Sequence, residues 1–390
     1  MSRVYSLRIY DTELMKFSLE KRGLEGLVAD ILSINAELNH LMPLDMECTG
    51  EGVIKWLERR VIPKNRTFVD QILKTLGLSH NDTKGIIDVC KGLSLNDSYW
   101  IVPEDFEGSF EQYNLYDNRF SEMLALVAYT GAGQTKQAFT TSPELTTNGM
   151  LPKAWRFIEG EGIYLYKGGT SGASNAGREP FCEYYASQIA ETMGLNAVHY
   201  DLENWKGITA SKCELFTDKD TSFVPIGRIV KSGGIQKCLD YYDKLGKDFS
   251  EQIRSMLVFD ALIYNEDRHF GNFGVLRDNH TGKIVAPAPI FDNGLSLFCF
   301  AGQEDLPNLA EYAKTRTNPY YISFEEVCAA VMGTKQKEQL RRMLGFKFIR
   351  HPKLNLPEEH LVAVERVLER RVRELLEVPV RSRKMPERVR

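Results

Sequence analysis

Three oxygen-bearing side chains between residues 267 and 292 form the pattern with the clearest chemical meaning in this sequence. Asp267 and Asn272 lie five residues apart in Tyr-Asn-Glu-Asp-Arg-His-Phe-Gly-Asn (264–272), and Asp292 follows in Phe-Asp-Asn-Gly. Transfer of a phosphoryl group from ATP needs a carboxylate that orients the attacking hydroxyl, together with oxygen ligands for Mg²⁺. The spacing predicts Asp267 as the catalytic base and Asn272 and Asp292 as Mg²⁺ ligands. The alternative is a helix end capped by Asp and Asn, followed by an ordinary Asp-Asn-Gly turn.

A lysine and a glutamate further upstream suit the binding of ATP phosphates. Lys167 ends a predicted strand, and Glu183 lies one turn into the next predicted helix. A strand lysine paired with a helix glutamate directs an ammonium group at the α- and β-phosphates. Taken alone, these two residues are better interpreted as a solvated lysine at a strand end and a glutamate on a helix surface. Together with Asp267 and its companions, they favour the phosphate role.

The candidate phosphate loop is Thr-Thr-Asn-Gly-Met-Leu-Pro-Lys (146–153), which joins two predicted elements. It contains a single glycine and has neither a G-x-G-x-x-G nor a Walker A pattern. Backbone amides near Gly149 and the ammonium group of Lys153 could hold phosphates. An ordinary loop fits these residues equally well.

Arg268 and His269 follow the candidate base directly. His269 is a candidate nucleotide contact, although a histidine two residues after a base more often holds the loop backbone. We therefore expect a structural role for His269. Arg268 is expected to pair with an acidic neighbour or with a phosphorylated loop.

Hydrophobic periodicity divides the chain into a helical N-terminal region (1–130), a β-rich region (131–216), a second helical region (217–376) and a basic tail (377–390). Helices are predicted at 24–34, 68–77, 84–91, 181–194, 249–263 and 358–376. Strands are predicted at 155–158, 162–167, 197–200 and 208–216, with a Gly/Ser-rich loop at 168–177. This order predicts an α+β fold in which a small β-containing lobe accompanies a larger helical lobe.

Composition indicates an ordinary globular protein. The 390 residues carry a net charge of −4, which provides no global basic field for nucleic acid or anionic membranes. No apolar stretch approaches the roughly 20 residues needed to span a bilayer, and the N-terminus lacks a signal-peptide pattern. A cytoplasmic location is the default expectation. The seven cysteines are scattered, which predicts reduced thiols in the core.

These residues resemble the HipA-type serine/threonine kinases, a bacterial family that includes toxin kinases. The similarity extends from about Thr146 to Leu297 and is weaker through the C-terminal helices. It rests on the loop 146–153, on Tyr-Leu-Tyr-Lys (164–167), on Cys-Glu-Tyr-Tyr (182–185) and on the two segments around Asp267 and Asp292.

The resemblance implies a bilobal, protein-kinase-like fold and a Ser/Thr protein kinase that uses ATP and Mg²⁺. It implies that Asp267 is the base, that Asn272 and Asp292 bind Mg²⁺ and that Lys167 holds phosphate. Glu214 and Phe216 would lie on the hinge strand that meets adenine. Thr146 occupies the place of an autophosphorylated serine, and an antitoxin-like partner is also implied. The N-terminal region of about 130 residues departs from the family pattern.

Three other functions compete with this interpretation. A small-molecule or phosphoinositide-type lipid kinase has a similar Asp-Arg-His-x-x-Asn loop, but this chain shows no lipid anchor or membrane-surface patch. A pseudokinase is disfavoured because competent residues fill the lysine, base and metal-ligand positions. A DNA-binding regulator would use a helix pair at 68–77 and 84–91 with a basic approach, although Asp82 and Asp88 disfavour contact with phosphates. That basic approach comprises Lys55, Arg59, Arg60, Lys64 and Arg66.

Overall fold

The computed structural model describes residues 2–23, 26–132, 141–173 and 175–380. The chain divides into two compact units. The first unit comprises Met1–Lys167, Glu214–Val224 and Leu276–Val285, and the second comprises Gly168–Cys213, Pro225–Val275 and Ala286–Arg390. Of the predicted basic tail (377–390), residues 381–390 lie outside the described residues. The predicted assignment of chain regions to lobes stays a prediction.

A four-stranded antiparallel sheet opens the first unit, so the region 1–130, predicted to be helical, contains strands as well as helices. Its strands are β1 (Arg3–Ile9), β2 (Thr12–Arg22), β3 (Gly26–Ile34) and β4 (Tyr99–Pro103), in the order β3-β2-β1-β4. Tyr5, Leu7 and Ile9 alternate along β1 and are all buried, as expected for one face of a strand against the core.

The helix predicted over 24–34 is wrong, because Gly26–Ile34 forms strand β3. The apolar residues of this segment fit both a helical and an alternating spacing, so periodicity alone is ambiguous. Pairing with β2, in which Ala29 lies opposite Leu19, decides in favour of the strand. A long-range partner of this kind has no signal within the segment itself.

Five helices accompany the sheet in the first unit: α1 (Gly50–Glu58), α2 (Val69–Thr75), α3 (Thr83–Cys90), α4 (Phe110–Tyr113) and α5 (Glu122–Thr130). The helices predicted near 68–77 and 84–91 are confirmed as α2 and α3. Asp82 caps α3 by accepting a hydrogen bond from the Gly85 N–H at 3.0 Å. Apolar side chains of these helices, such as Trp56 and Ile72, share one core with β1 and β2.

The predicted hairpin is confirmed as β5 (Lys153–Ile158) and β6 (Gly162–Lys167), with Lys153 opposite Lys167. Three further strands, β9 (Thr221–Pro225), β10 (Gly274–Asp278) and β11 (Ile284–Pro287), form a small sheet in the order β11-β10-β9.

The second unit is mainly helical. It contains the antiparallel strands β7 (Tyr200–Trp205) and β8 (Ile208–Glu214). The predictions for 181–194, 249–263 and 358–376 are confirmed as α6 (Glu179–Met193), α9 (Lys247–Ile263) and α13 (Glu358–Glu377). The remaining helices are α7 (Ile226–Ile229), α8 (Gly234–Leu245), α10 (Leu309–Ala313), α11 (Phe324–Val331) and α12 (Thr334–Arg341).

Two expectations from composition can be compared with the described residues. All seven cysteines are free thiols, and six of them are buried, which agrees with the predicted core role. Within the described ranges, no helix combines the length and the apolar character needed to cross a bilayer.

Candidate active site

The candidate catalytic loop begins where α9 ends. Tyr264 adopts a left-handed conformation (φ 53°), which stops the helix. The Asn265 amide group donates to the Asp260 carboxylate at 3.0 Å, and its Oδ1 accepts from the Asp267 N–H at 3.1 Å. These bonds hold the half-buried Asp267 at a defined position just beyond a rigid, buried helix.

Asn272 and Asp267, the pair predicted from the sequence, are joined directly. The Asn272 Nδ2 donates to the Asp267 carbonyl at 3.0 Å, and Asn272 is 6% exposed. Because Nδ2 is engaged in this bond, Oδ1 is the atom that Asn272 can offer to a cation.

Arg268 connects the candidate catalytic loop to the turn that contains Asp292. Its fully buried guanidinium group donates to both oxygens of Asp260 at about 3.0 Å. Its Nη1 also donates to the carbonyl groups of Asn272 and Phe291, and its Nη2 donates to the Asn293 side chain. Burial disfavours the charge, but the Asp260 carboxylate more than compensates and raises the pKa of Arg268.

The predicted pairing of Arg268 with an acidic neighbour is therefore confirmed, and Asp260 is that neighbour. Two backbone bonds reinforce the connection to the downstream turn: the Glu266 N–H donates to the Leu295 carbonyl at 2.9 Å, and the Leu297 N–H donates to the Ile263 carbonyl at 2.8 Å. The structure thus brings together the segments that carry Asp267, Asn272 and Asp292.

Asp292 occupies a strained backbone conformation, with φ at 56°. Its N–H donates to the hydroxyl of Tyr200 at 3.1 Å. Burial, together with the nearby Cys213, Glu183 and Asp292, raises the pKa of Tyr200, which keeps the phenol protonated. Aspartate tolerates the left-handed region better than most residues, and such outliers cluster at functional sites.

Gly294 brings the Asp292 turn close to helix α6. A Cβ atom at this position would lie 3.3 Å from the Cβ of Glu179 and 3.5 Å from the Cγ of Glu183. Glu183 is 1% exposed, and its carboxylate accepts a hydrogen bond from the Ser211 hydroxyl. Lys167, at the end of β6, is 8% exposed and belongs to the first unit. The predicted pairing of Lys167 with Glu183 stays a prediction.

The candidate phosphate loop is held by contacts within the first unit. The Lys153 ammonium group donates to the Asn148 carbonyl at 2.9 Å. Gly149 has φ at 92°, a backbone conformation that favours glycine, and the Lys153 ammonium group lies close to its Cα. The Met150 carbonyl accepts from the Thr67 N–H at 2.8 Å.

Arg66 organises the base of this loop. Its buried guanidinium group binds the Glu144 carboxylate and donates to the carbonyl groups of Glu144, Thr147 and Lys153. Glu144 in turn accepts from the Trp155 N–H at 2.7 Å. Sequence reasoning missed this pair, because residues 78 positions apart have no shared motif that would connect them.

Thr146, the candidate site of autophosphorylation, is only 4% exposed. Its hydroxyl donates to the carbonyl groups of Leu93 and Pro143, at 2.9 and 3.3 Å. In this conformation of the loop the hydroxyl is an internal donor.

The other predicted nucleotide contacts lie on loops and strand ends. His269 is exposed, and its Nδ1 accepts from the Gly271 N–H at 3.0 Å, which confirms the expected structural role. Glu214 is exposed at the end of β8, and Phe216 packs edge-on against Phe223. Contact of these three residues with a nucleotide stays a prediction.

The basic approach proposed for DNA binding is partly internal. Arg60 is 4% exposed and forms two bonds with the Asp97 carboxylate, at 2.7 and 2.8 Å, and Arg66 is buried against Glu144. Two of the five basic side chains therefore face the protein interior, which argues against a DNA-binding surface here.

One comparison with a solved structure supports the fold. No family model and no curated protein sequence matches the chain. HipA from Shewanella oneidensis MR-1, solved as a toxin–antitoxin complex with HipB and operator DNA, aligns with a TM-score of 0.59 at 14% identity over 96% of this chain and 100% of that chain. The Helicobacter pylori proinflammatory kinase CtkA aligns with a TM-score of 0.48 at 20% identity over 60% of this chain and 91% of that chain.

The likeness to HipA shows the fold. The chain has an α+β, protein-kinase-like fold of the HipA type, as the sequence predicts.

Proposed function

We propose that this protein is an ATP- and Mg²⁺-dependent kinase of the HipA-like type that phosphorylates a serine or threonine hydroxyl of a protein. The observation that carries the proposal is the Arg268 network, because it holds the Asp267 loop and the Asp292 turn in one arrangement. A helix end that is merely capped by Asp and Asn would not require a buried arginine joined to a turn more than 20 residues away.

The donor set near this network fits Mg²⁺. Asp292 offers a carboxylate and Asn272 offers its amide oxygen, and both are hard oxygen ligands of the kind that Mg²⁺ prefers. Among the described residues no group of three or more His, Cys, Asp or Glu side chains is suited to a metal. Mg²⁺ is commonly held by one or two protein ligands together with substrate phosphates, and when bound it would neutralise charge on the transferring phosphoryl group.

The protein residues have separate roles in this proposal. Asp267, fixed by Asn265 and Asn272, accepts a hydrogen bond from the acceptor hydroxyl, orients it and takes its proton. Lys167, Lys153 and the backbone near Gly149 hold phosphates, and Glu183 positions a lysine ammonium group. Glu214 and Phe216 contact adenine.

Mass spectrometry of the intact protein and of protein acceptors after incubation with Mg²⁺ and ATP tests this function. We expect phosphate incorporation by the wild type and a loss of at least about 100-fold in Asp267→Asn, because an amide cannot accept the hydroxyl proton. The control Asp248→Asn removes an exposed carboxylate of α9 and should retain activity. Wild-type turnover in Asp267→Asn would overturn the mechanism, and transfer to lipid vesicles but to no protein would favour a lipid kinase.

Nucleotide binding supplies a separate test. Asp292→Asn should lose the Mg²⁺-dependent part of ATP binding, because an amide is a weaker ligand than a carboxylate. Isothermal titration of ATP with Mg²⁺ and with EDTA measures that part directly. Equal Mg²⁺ dependence in the variant and the wild type would remove Asp292 from the metal site.

We also propose a protein partner of the antitoxin kind. HipA from Shewanella oneidensis is found with HipB and operator DNA, and this chain aligns with the full length of that HipA chain. Co-purification of the chain with the product of a neighbouring gene would support such a partner. A monodisperse, unaccompanied protein from the native host would count against it.

A further inference from the structure

A cavity of about 550 Å³ opens in the first unit, among residues that have no role in the proposed active site. It lies beside the end of α3 and is lined by Asp88, Lys91, Gln112, Tyr113, Asn118 and Arg119. Its volume falls within the range typical of sites for small molecules.

Lys91 is a half-buried cation that forms no salt bridge with a carboxylate of the described residues, although the charge of Asp88 attracts it. Its ammonium group lies 4.9 Å from the centre of the Phe106 ring and 5.3 Å from that of Tyr113. Within the described ranges it has no ion pair and no hydrogen-bond acceptor. Burial lowers the pKa of Lys91, since the ring faces replace only part of the lost hydration. An oxyanion in the cavity would supply the missing partner.

Lys91 also has an unusual backbone conformation. Lys91 ends α3 with φ at 53°, a left-handed position where glycine or asparagine is usual. An outlier of this kind beside a cavity points to a function for the side chain.

The other two charged side chains that line the cavity, Asp88 and Arg119, both have partners. Asp88 is already bound by the Tyr5 hydroxyl at 2.6 Å and by the Lys84 ammonium group at 2.8 Å. Arg119 is paired with Glu159, but the two side chains are 67% and 82% exposed. Such a surface pair is weak, so the guanidinium group can turn to another anion.

The Gln112 side chain adds a neutral hydrogen-bond donor to the cavity lining. The Gln112 Oε1 accepts from the Ser109 N–H at 3.0 Å, which leaves the Nε2 group of the same side chain to donate.

We propose that this cavity binds a small molecule with a phosphate or carboxylate group, which Lys91 and Arg119 hold while the ring of Tyr113 packs against the rest of the ligand. The site is independent of the proposed kinase activity. Arginine and lysine together are the usual ligands of such oxyanions.

Reductive methylation of lysines, followed by peptide mass spectrometry, tests the site locally. Without added anion, the pH profile of Lys91 labelling should have a lower midpoint than that of Lys84. Burial lowers the pKa of Lys91, whereas at Lys84 the contacts with Asp88 outweigh burial and raise the pKa. Inorganic phosphate or citrate should slow Lys91 labelling several-fold, relative to chloride at the same ionic strength. Protection by phosphate alone would identify a phosphate-bearing ligand, and protection by citrate alone a carboxylate.

Two variants make the test independent of labelling chemistry. Lys91→Asn keeps a residue that tolerates the left-handed backbone, and Arg119→Gln alters only an exposed side chain. In each, the increase in Tm caused by the protecting anion should shrink, whereas the exposed control Lys74→Asn should retain it. If neither anion protects Lys91 beyond chloride, or if both variants keep the full increase in Tm, the proposal is overturned.

Discussion

Arg268 shows how one side chain can define the geometry of a whole site. Its guanidinium group donates hydrogen bonds to one carboxylate, two backbone carbonyl groups and one side-chain amide oxygen. These acceptors lie on segments between residues 260 and 293. A buried charge is tolerated only when it is paired and its donors are bonded, and both conditions hold here. The chemistry proposed for Asp267 would therefore depend on a residue that need not touch the substrate.

Replacement of Arg268 by methionine should destabilise the protein strongly. Asp260 would be left buried without its cation, and breaking such a pair typically costs about 3 to 5 kcal/mol. Denaturant unfolding measures this loss, and phosphoryl transfer, assayed well below the unfolding temperature, should fall by at least about tenfold. The control Arg373→Met removes an exposed ion pair of α13 and should change stability by less than about 1 kcal/mol. Equal unfolding free energies for the two variants would contradict the role given to Arg268.

Thr146 can become a switch only if its loop leaves the present conformation. Aspartate at this position cannot donate to the Leu93 and Pro143 carbonyl groups and would place a charge at a site that is 4% exposed. We expect Thr146→Asp to accelerate amide hydrogen exchange over 146–153 and to lower kcat. Thr146→Ser retains the donor and serves as the control. Unchanged exchange in Thr146→Asp would leave Thr146 an ordinary loop residue.

At the scale of elements, the segment that follows α10 contacts the candidate catalytic loop through Arg316 and Tyr320. The Tyr320 hydroxyl donates to the Arg268 carbonyl at 2.6 Å, and its ring stacks on Phe270. Arg316 binds the carboxylate of Glu266, the residue directly before the candidate base, at 3.3 Å. Residues about 50 positions downstream thus hold the loop in addition to its buried arginine.

The Glu266–Arg316 pair should affect catalysis more than stability. Both side chains are partly exposed, so the pair contributes no more than about 1 kcal/mol to folding. Glu266→Arg and Arg316→Glu should each lower kcat several-fold and leave KM for ATP nearly unchanged, whereas the double variant restores the attraction and part of kcat. A double variant slower than both single variants would show that the pair does not position the loop.

Local sequence patterns predict the helices and strands well, but they do not predict the long-range contacts between them. The helical spacing of apolar residues predicts helix α9, and two short strands bounded by glycine predict the β5–β6 hairpin. Strand β3 depends on its pairing with β2, so the local spacing alone wrongly predicts a helix there. The prediction of Asp267, Asn272 and Asp292 as site residues rests on their closeness in sequence. The Arg66–Glu144 pair lies 78 residues apart and could not be found in the same way.

At the scale of the whole molecule, the two units carry different parts of the proposed chemistry. The first contains Lys167 and the candidate phosphate loop, and the second contains the catalytic loop and the Asp292 turn. The buried ionic groups that support these parts, such as Arg66 and Arg268, lie in both units. Conditions that alter buried charge should therefore affect stability as well as activity.

The clearest such effect is expected from His360, which is 1% exposed in α13 and has an Nε2 atom without a hydrogen-bond partner among the described residues. Burial, assisted by the positive charge of Arg178, lowers the pKa of His360 from 6.5 to about 4. The unfolded chain therefore binds this proton more readily than the folded one, so folding stability falls as the pH decreases from about 6.5 to about 4.

Over that window the loss should approach roughly 3 kcal/mol, because each pKa unit corresponds to about 1.4 kcal/mol. Replacement of His360 by glutamine removes the titration, so the difference in unfolding free energy between wild type and variant should shrink as the pH falls. Urea unfolding at a series of pH values measures this difference, with His199→Gln as a control for the loss of an exposed histidine. Since acidic groups titrate in both proteins, their contribution cancels in the comparison. Parallel stability curves for wild type and His360→Gln would mean that folding does not lower the pKa of His360 below its value in the unfolded chain.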